Sequence, residues 1–174
     1  DARNGIITNH AAGTFNGLEI SNVTVQNIYL RGIYPSSGGT FNVHHNTVTN
    51  VQGEYSSIAI FGWGGPGTFA NNTVSYANDA ISANHSSGIQ FLNNTVTYSG
   101  SGIHTDNSND GGGVADLIQG NTVNCTDTPG AYGIWTFVPY VAPTINNNTI
   151  TNCAVGLSAW GQGAAVVPQF TNNM

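Results

Sequence analysis

The chain has 174 residues, and only ten are charged: two Arg, no Lys and eight Asp or Glu, with a formal net charge of -6. This length suits a single domain spanning 1–174, and the acidic balance excludes the basic surface that a nucleic-acid partner requires. Gly, Asn and Thr number 23, 24 and 19, and 39% of the residues are hydrophobic, which excludes both a disordered tail and a helical protein.

One motif of four residues recurs along the chain. It reads Asn-Asn-Thr-Val or a close copy, and its second position falls at Val23, Asn46, Asn72, Asn94, Asn121, Asn148 and Asn173, in steps of 23, 26, 22, 27, 27 and 25 residues. An apolar residue lies three positions before this second position and another lies two positions after it. Further along, a small residue precedes an apolar one, as in Ser57-Ile58 and Gly102-Ile103. Each repeat therefore predicts three short strands and leaves no room for an ordinary helix.

Repeats of this length with three strands predict a solenoid, in which equivalent positions of successive coils lie about 4.8 Å apart. We therefore expect an all-β parallel β-helix of about six to seven coils. A buried Asn side chain has several hydrogen-bonding groups and can bridge one coil to the next. The recurring residue of the motif predicts an internal asparagine ladder, at Asn46, Asn72, Asn94, Asn121, Asn148 and Asn173.

The motif, the stretch NTITNCAVGLSA from Asn148 to Ala159 and the predicted ladder resemble the right-handed parallel β-helix repeats of the pectate-lyase-like superfamily. The resemblance covers nearly the whole chain and implies a substrate groove on the strand after the Gly–apolar step. It implies no single activity, because such repeats occur in lyases, hydrolases, epimerases, tailspikes and adhesins. Neither end carries a polar cap, so we expect a slice of a longer solenoid that can associate end to end.

The outward positions of that third strand form two predicted columns. The first contains Ala59, Ser82, His104, Trp135 and Ser158, and the second contains Phe61, Asn84, Asp106, Phe137 and Trp160. Aromatic rings stack on sugars, while amide, carboxylate and imidazole groups bind their hydroxyl groups. We therefore predict a module that binds a neutral or weakly charged polysaccharide, through Phe61, Trp63, Asn84, Trp135, Phe137 and Trp160. Aromatic residues that only stabilise cross-strand pairs are the alternative.

The same face allows an enzymatic interpretation. Glycoside hydrolysis usually requires two carboxyl groups about 5–9.5 Å apart, and Asp106 with Asp79 or with Asp110 could meet that spacing. Together with His104 they form the candidate catalytic set of a polysaccharide hydrolase, lyase or epimerase, although such an Asp- and Asn-rich stretch is also typical of a polar turn. Asp106 and Asp110 carry the oxygen atoms that Ca2+ prefers, but no calcium-binding motif surrounds them.

The other ionisable residues predict no cofactor. Arg3 and Arg31 are the only permanent cations, and both are predicted to lie off the candidate face. The polyuronate lyase that the resemblance would allow is therefore disfavoured, because it needs basic groups there. His44 and His45 are adjacent, so on a strand they should point to opposite faces, and no metal site is predicted.

Two ranks of outward residues beside the predicted ladder are rich in Thr. They lie about 6.7 Å apart along the strand. The first rank includes Thr47, Thr73, Thr95, Thr122 and Thr149, and the second includes Thr49, Thr97 and Thr151. This array resembles the ice-binding face of some antifreeze solenoids, so a structural or ice-binding solenoid is a further alternative. Thr also favours β-strands without any ligand, and Gln26 and Asn124 interrupt the second rank.

Cys125 and Cys153 lie one repeat apart. A one-residue slip in the intervening turn would bring them within disulfide range, and two buried free thiols are the alternative. The absence of Lys and the neutral polar surface favour an extracellular or cell-surface location. No apolar run reaches the roughly 18 residues of a membrane span.

Overall fold

A computed structural model describes residues 2–8, 13–36, 39–106, 113–137, 141–161 and 167–174. In these ranges the chain forms nineteen β-strands, all paired in parallel, and no helix. The strands lie on three faces of a solenoid, here called faces A, B and C, and each coil contributes one stretch to each face. The described residues therefore contain no helix that could cross a membrane.

Face A begins each coil and is a seven-stranded sheet. Its strands are β2 (Leu18–Ser21), β4 (Phe41–His44), β7 (Gly67–Ala70), β10 (Gln90–Leu92), β13 (Leu117–Gln119), β16 (Thr144–Asn146) and β19 (Gln169–Thr171). Face B follows, and it consists of the first half of β3 (Thr24–Tyr34), β5 (Thr47–Val51), β8 (Thr73–Ala77), β11 (Thr95–Thr97), β14 (Thr122–Asn124) and β17 (Thr149–Thr151).

Face C completes the coil. It consists of β1 (Ala2–Ile7), the second half of β3, β6 (Ile58–Trp63), β9 (Asp79–Asn84), β12 (Ser101–Asp106), β15 (Tyr132–Phe137) and β18 (Val155–Trp160). Six coils run from β2 to β18, with β1 before them and β19 after them. The predicted all-β parallel β-helix, with three strands per coil, is confirmed.

The core consists of apolar columns that run along the solenoid, one from each face. Face A contributes Val43, Phe69, Phe91, Ile118 and Ile145, face B contributes Val48, Val74, Val96 and Val123, and face C contributes Ile33, Ile60, Ile81, Ile103 and Ile134. All of these are at most 1% exposed. Burial of each such side chain stabilises the fold by roughly 1.5–3 kcal/mol before the entropic cost of ordering it.

The predicted asparagine ladder runs along the corner between faces A and B. Asn94 Oδ1 accepts hydrogen bonds from the backbone N–H and the Nδ2 of Asn72, both at 3.0 Å. Asn94 Nδ2 donates to Asn121 Oδ1 at 3.0 Å and to the backbone carbonyl of Phe69 at 2.8 Å. The same pattern repeats from Asn46 to Asn173, so each buried amide links its coil to both neighbours.

The first residue of the motif has a different role from the second. It adopts the left-handed conformation, with φ of 56° at Asn22, 55° at His45, 53° at Asn71 and 54° at Asn147. Asn tolerates this conformation better than most residues, because its short polar side chain bonds locally. The first Asn therefore turns the chain sharply, and the second fills the ladder.

Cys125 and Cys153 form a disulfide between the fifth and sixth coils, with Cα atoms 4.8 Å apart. Asn124 pairs with Thr151, so strict register would put Cys125 beside Asn152. Asn152 instead adopts the left-handed conformation, with φ of 58°, and takes up the extra residue of its coil. The sequence allowed either a disulfide or two buried free thiols, and the structure has the disulfide.

Candidate functional site

A long groove of about 1320 Å3 runs along the outside of face C. It is lined by nine of the residues predicted for a binding or catalytic site: Phe61, Trp63, Asp79, Asn84, His104, Asp106, Trp135, Phe137 and Trp160. Asp110, predicted as a catalytic partner, lies outside the residues that the structure describes. Neighbouring strands hold the groove in register, so each coil adds one row of side chains to it.

The strand register corrects the predicted columns in one coil. Ala59 was expected in the first column, but it is fully buried, and Phe61 pairs with Ser82 there. The reason is that Ala59 and the following Ile60 form the small–apolar step of this coil, two residues later than predicted. The first column therefore reads Phe61, Ser82, His104, Trp135 and Ser158, and the second reads Trp63, Asn84, Asp106, Phe137 and Trp160.

An aromatic cluster occupies the groove at the fifth and sixth coils. The ring centroids of Trp135, Phe137 and Trp160 are 6.2 Å apart in each pairing. Trp135 Nε1 donates to Ser101 Oγ at 2.7 Å and Trp160 Nε1 donates to Ser158 Oγ at 2.7 Å, which fixes both indoles. Trp160 is 49% exposed, so its ring is available to a ligand without further rearrangement.

A second aromatic cluster lies at the other end of the groove. The Phe61 ring lies 6.2 Å from Trp63 and 4.9 Å from Tyr34, and Trp63 lies 4.4 Å from His85. The predicted columns omit Tyr34, although the small–apolar step Gly32-Ile33 directly before it marks its position in the sequence. The pairing of β3 with β6 places Tyr34 beside Phe61.

Arg31 also lies in this end of the groove, so its predicted position off the face is wrong. Its guanidinium lies 5.0 Å from the centroid of Phe61 and donates to the backbone carbonyls of Ser56 and Leu30. Burial lowers the pKa of Arg31, while Tyr34 and Asp79 act to raise it. Arg31 thus adds one cation to a groove that also contains two carboxylates.

Between the two aromatic clusters the groove has a polar floor. The His104 ring stacks on Trp135, with centroids 3.7 Å apart and planes inclined by 7°. His104 Nδ1 lies 3.9 Å from Asp79 Oδ2, which also accepts a hydrogen bond from Ser82 Oγ. Within the described residues, His104 Nε2 and Asn84 Oδ1 are buried without a hydrogen-bond partner. The floor is therefore fixed by packing and keeps unused hydrogen-bonding groups.

The predicted pairing of Asp106 with Asp79 as two catalytic carboxyl groups is wrong. Asp106 pairs with Asn84, and Asp79 begins the same strand five residues earlier. Five residues of a strand span about 16 Å, well beyond the 5–9.5 Å of hydrolytic carboxyl pairs. The carboxylate near His104 is that of Asp79, and Asp106 is too far from Asp79 to join these two residues in one catalytic set.

The outward residues of face B form the two ranks described above in strict register. Thr47, Thr73, Thr95, Thr122 and Thr149 pair across five coils. Thr49, Ser75, Thr97, Asn124 and Thr151 pair beside them. The hydroxyl groups of Thr49 and Ser75 are 2.9 Å apart, so the second and third coils share a hydrogen bond in the second rank.

In the parts of the chain that the structure describes, no group of three or more His, Cys, Asp or Glu is arranged to hold a metal ion. The expectation that His44 and His45 point to opposite faces is wrong, because their Nδ1 atoms are 2.8 Å apart. His45 leaves the strand in the left-handed conformation, which turns its side chain back towards His44. Adjacency in sequence therefore does not separate this pair.

Comparison with known proteins identifies the repeat. Residues 4–173 match the family model described as "Right handed beta helix region". No curated protein and no solved structure matches the chain.

Proposed function

The chain belongs to the right-handed β-helix family, and on that premise we propose that its face C groove binds a neutral or weakly charged polysaccharide. The observation that carries the proposal is the order of side chains along the groove. Aromatic clusters lie at both ends, and a polar floor lies between them. The disulfide between Cys125 and Cys153 supports an extracellular location, because such bonds persist in oxidising compartments.

This order suits a linear sugar polymer that runs parallel to the solenoid axis. Trp63 and Phe137 occupy one column three coils apart, which corresponds to about 14 Å at the usual strand spacing. Each coil step is comparable with the length of one sugar unit, so successive sugars can meet successive rows. Trp63 and Trp160 supply ring faces, and rotation of the His104 and Asn84 side chains would expose their unpaired groups to sugar hydroxyls.

The charges in the groove favour a neutral or weakly charged ligand. Asp79 and Asp106 are carboxylates, and Arg31 is held by two backbone carbonyls at one end. A polyanion would meet these carboxylates and the net charge of -6 of the chain. Asp79 and Asp106 are too far apart to act as the two carboxyl groups of a hydrolase. Their separation therefore favours binding over hydrolysis.

The decisive experiment is affinity electrophoresis and calorimetry with a panel of neutral and acidic polysaccharides. We expect retardation by at least one neutral glycan. Trp160→Ala and Trp63→Ala should each weaken the binding of long chains by about tenfold or more, because exposed aromatic anchors dominate such interfaces. Tyr76→Ala is the matched control, since Tyr76 is also 49% exposed but lies outside the groove, and it should bind normally.

Two outcomes would contradict the proposal. Unchanged affinity in both tryptophan variants would exclude this groove as the binding surface. Release of shortened or modified sugars, detected by mass spectrometry in the same samples, would show an enzyme instead. Loss of that product in Asp106→Asn would then identify the carboxylate that the reaction needs.

A second candidate function rests on face B. Its Thr ranks are aligned by strand pairing over five coils, so their hydroxyl groups repeat at the regular spacing that an ordered water layer could match. We expect ice-crystal shaping if this face binds ice, and its loss in Thr73→Tyr with Thr95→Tyr. Normal crystal growth in the unmodified protein excludes this function.

A further inference from the structure

The corner between faces A and B differs in one coil from all the other described coils. This corner contains the last residue of face A and the left-handed residue that follows it. The other coils have Ser21-Asn22, Ala70-Asn71, Leu92-Asn93, Gln119-Gly120, Asn146-Asn147 and Thr171-Asn172 at these positions. Only the second coil has two imidazoles, those of His44 and His45. Because the other five coils and β19 are built without His here, the stacking of the repeat does not require this pair.

The two rings are held close together. Their Nδ1 atoms are 2.8 Å apart, their centroids are 5.0 Å apart and their planes are inclined by 88°. His44 ends a strand of face A, and His45 has φ of 55°, so the side chains meet although the residues are adjacent. The backbone of His45 is fixed by its N–H, which donates to the carbonyl of Ala70 at 3.1 Å.

A carboxylate orients the first of these rings. Glu19 Oε1 lies 3.2 Å from His44 Nε2, and Ser21 Oγ donates to the same carboxylate at 3.3 Å. With Nε2–H donating to Glu19, His44 Nδ1 carries a lone pair that faces His45. Metal-ligating imidazoles usually donate their second N–H to a carboxylate, a backbone carbonyl or water, which fixes the tautomer and raises the basicity of the ligand.

Glu19 is the one acidic residue in its column of described face A strands. The equivalent outward residues of the other face A strands are Asn42, Thr68, Gln90, Leu117, Thr144 and Gln169, none of which is acidic. The one acidic residue of this column and the two imidazoles therefore meet at one corner of the solenoid. If these three surface residues had changed independently of one another, nothing would require their side chains to be in contact.

We propose that His44 and His45 bind a divalent transition-metal ion through their Nδ1 atoms, with Glu19 as the residue that positions His44. Two metal–nitrogen bonds of about 2.0 Å, with nitrogens 2.8 Å apart, enclose an angle of about 90°. A tetrahedral angle would instead need the nitrogens to be about 3.3 Å apart. The pair therefore fits adjacent positions of a tetragonal ion, and Cu2+ is the one that imidazole ligands bind most tightly.

Binding requires little rearrangement. With Glu19 holding the His44 proton on Nε2, the contact of the two Nδ1 atoms requires His45 Nδ1–H as the donor, and the ion replaces this hydrogen bond once the His45 proton moves to Nε2. His45 is exposed, so its ring can rotate about its side-chain bonds to admit the ion while the backbone stays in place. The other coordination positions remain for water or for a group of another molecule.

The experiment is titration of the intact 174-residue chain with Cu2+, followed by calorimetry and by electron paramagnetic resonance. We expect one tightly bound ion per chain, with a spectrum typical of two nitrogen donors. His45→Asn and His44→Ala introduce residues that other coils have at these positions, so both variants should fold and melt like the parent. Each should weaken Cu2+ binding by more than about tenfold, and Glu19→Gln by about tenfold, as expected for loss of an orienting group.

His85→Asn is the matched control. His85 is also a left-handed histidine, with φ of 51°, but it contacts Trp63 on another part of the solenoid. This variant should bind Cu2+ as the parent does. The proposal is overturned if the parent shows only the spectrum of aqueous Cu2+, or if the variant that combines His44→Ala with His45→Asn retains the parent's affinity.

Discussion

The threonine ranks of face B and the groove of face C are built on the same coils, yet their outward residues behave differently. On face B the second, third and fourth coils all have Thr at the first outward position. On face C the same coils have Phe61, Ser82 and His104 at one position. Both sets are held in register by parallel pairing, so register alone does not explain the difference.

The two faces differ in whether the residues of a column stack on one another from coil to coil. A column in which every coil has the same residue is satisfied by stacking like on like, as in the asparagine ladder and the buried Val column. A column in which each coil has a different residue serves no such stack, so the fold leaves its composition free for a role outside the fold. The groove and the corner of His44 and His45 are both of this second kind.

The largest expected effect is in the ladder, where every coil depends on the same contacts. Asn94→Ala leaves the buried backbone N–H of Asn72 without its partner, and it removes the bonds of Asn94 to Asn72 Nδ2, Asn121 Oδ1 and the carbonyl of Phe69. Asn72 Nδ2 keeps its bond to the carbonyl of Val43. The orphaned N–H costs about 1–3 kcal/mol and each other lost bond about 0.5–1.5 kcal/mol, so the free energy of unfolding should fall by about 4 kcal/mol in urea denaturation. Thr95→Ala, at the next and exposed position, should change it by less than about 0.5 kcal/mol. Equal effects would show that the ladder does not dominate stability.

The disulfide gives a slightly smaller effect. Cys125 and Cys153 close a loop with a sequence separation of 28. Constraining the unfolded chain over such a loop stabilises the fold by about 3.5 kcal/mol. Cys125→Ser with Cys153→Ser should lower the denaturation midpoint accordingly, and reducing agent should change the parent but not the variant. A midpoint that is unaffected by reduction would contradict the bond.

The contrast between repeated and changing positions also sets what the sequence could predict. Stacking like on like leaves a visible period, so the coils, the ladder and most groove residues follow from the spacing of Asn-Asn-Thr-Val. The position of Ala59 could not be predicted, because Ser57-Ile58 looks like the small–apolar step that Ala59-Ile60 forms. That of Arg31 could not be predicted, because β3 runs from face B into face C without a turn. The contact of His44 with His45 depends on one left-handed residue, which a strand pattern does not reveal.

Replacing a glycine at the entry to face C should have an intermediate effect on stability, and it tests the strand register directly. A Cβ on Gly102 would lie 2.3 Å from the carbonyl oxygen of Gly133 and 2.6 Å from Val123 Cγ1. Gly102→Ala should therefore destabilise the protein by about 2–3 kcal/mol, because the next coil must move. Gly156→Ala, in the same column, has its closest contact at 3.9 Å and should be neutral or slightly stabilising. Thermal melts of the two variants should differ clearly, and equal melts would contradict the register.

The smallest effect concerns two tyrosines at the corner between faces B and C. Tyr76 and Tyr98 have φ of 55° and 51°, a conformation that costs about 1–2 kcal/mol for such residues, and their rings stack with centroids 5.0 Å apart. Other coils have Asn at this left-handed position, as at Asn50. Tyr76→Asn relieves one strained residue but loses the stack, worth about 0.5–1.5 kcal/mol, so it should be nearly neutral. The double variant, which adds Tyr98→Asn, relieves two strained residues but loses only the same single stack. It should therefore be more stable than the parent by about 1 kcal/mol in urea denaturation. Strictly additive single variants would show that the stack contributes nothing.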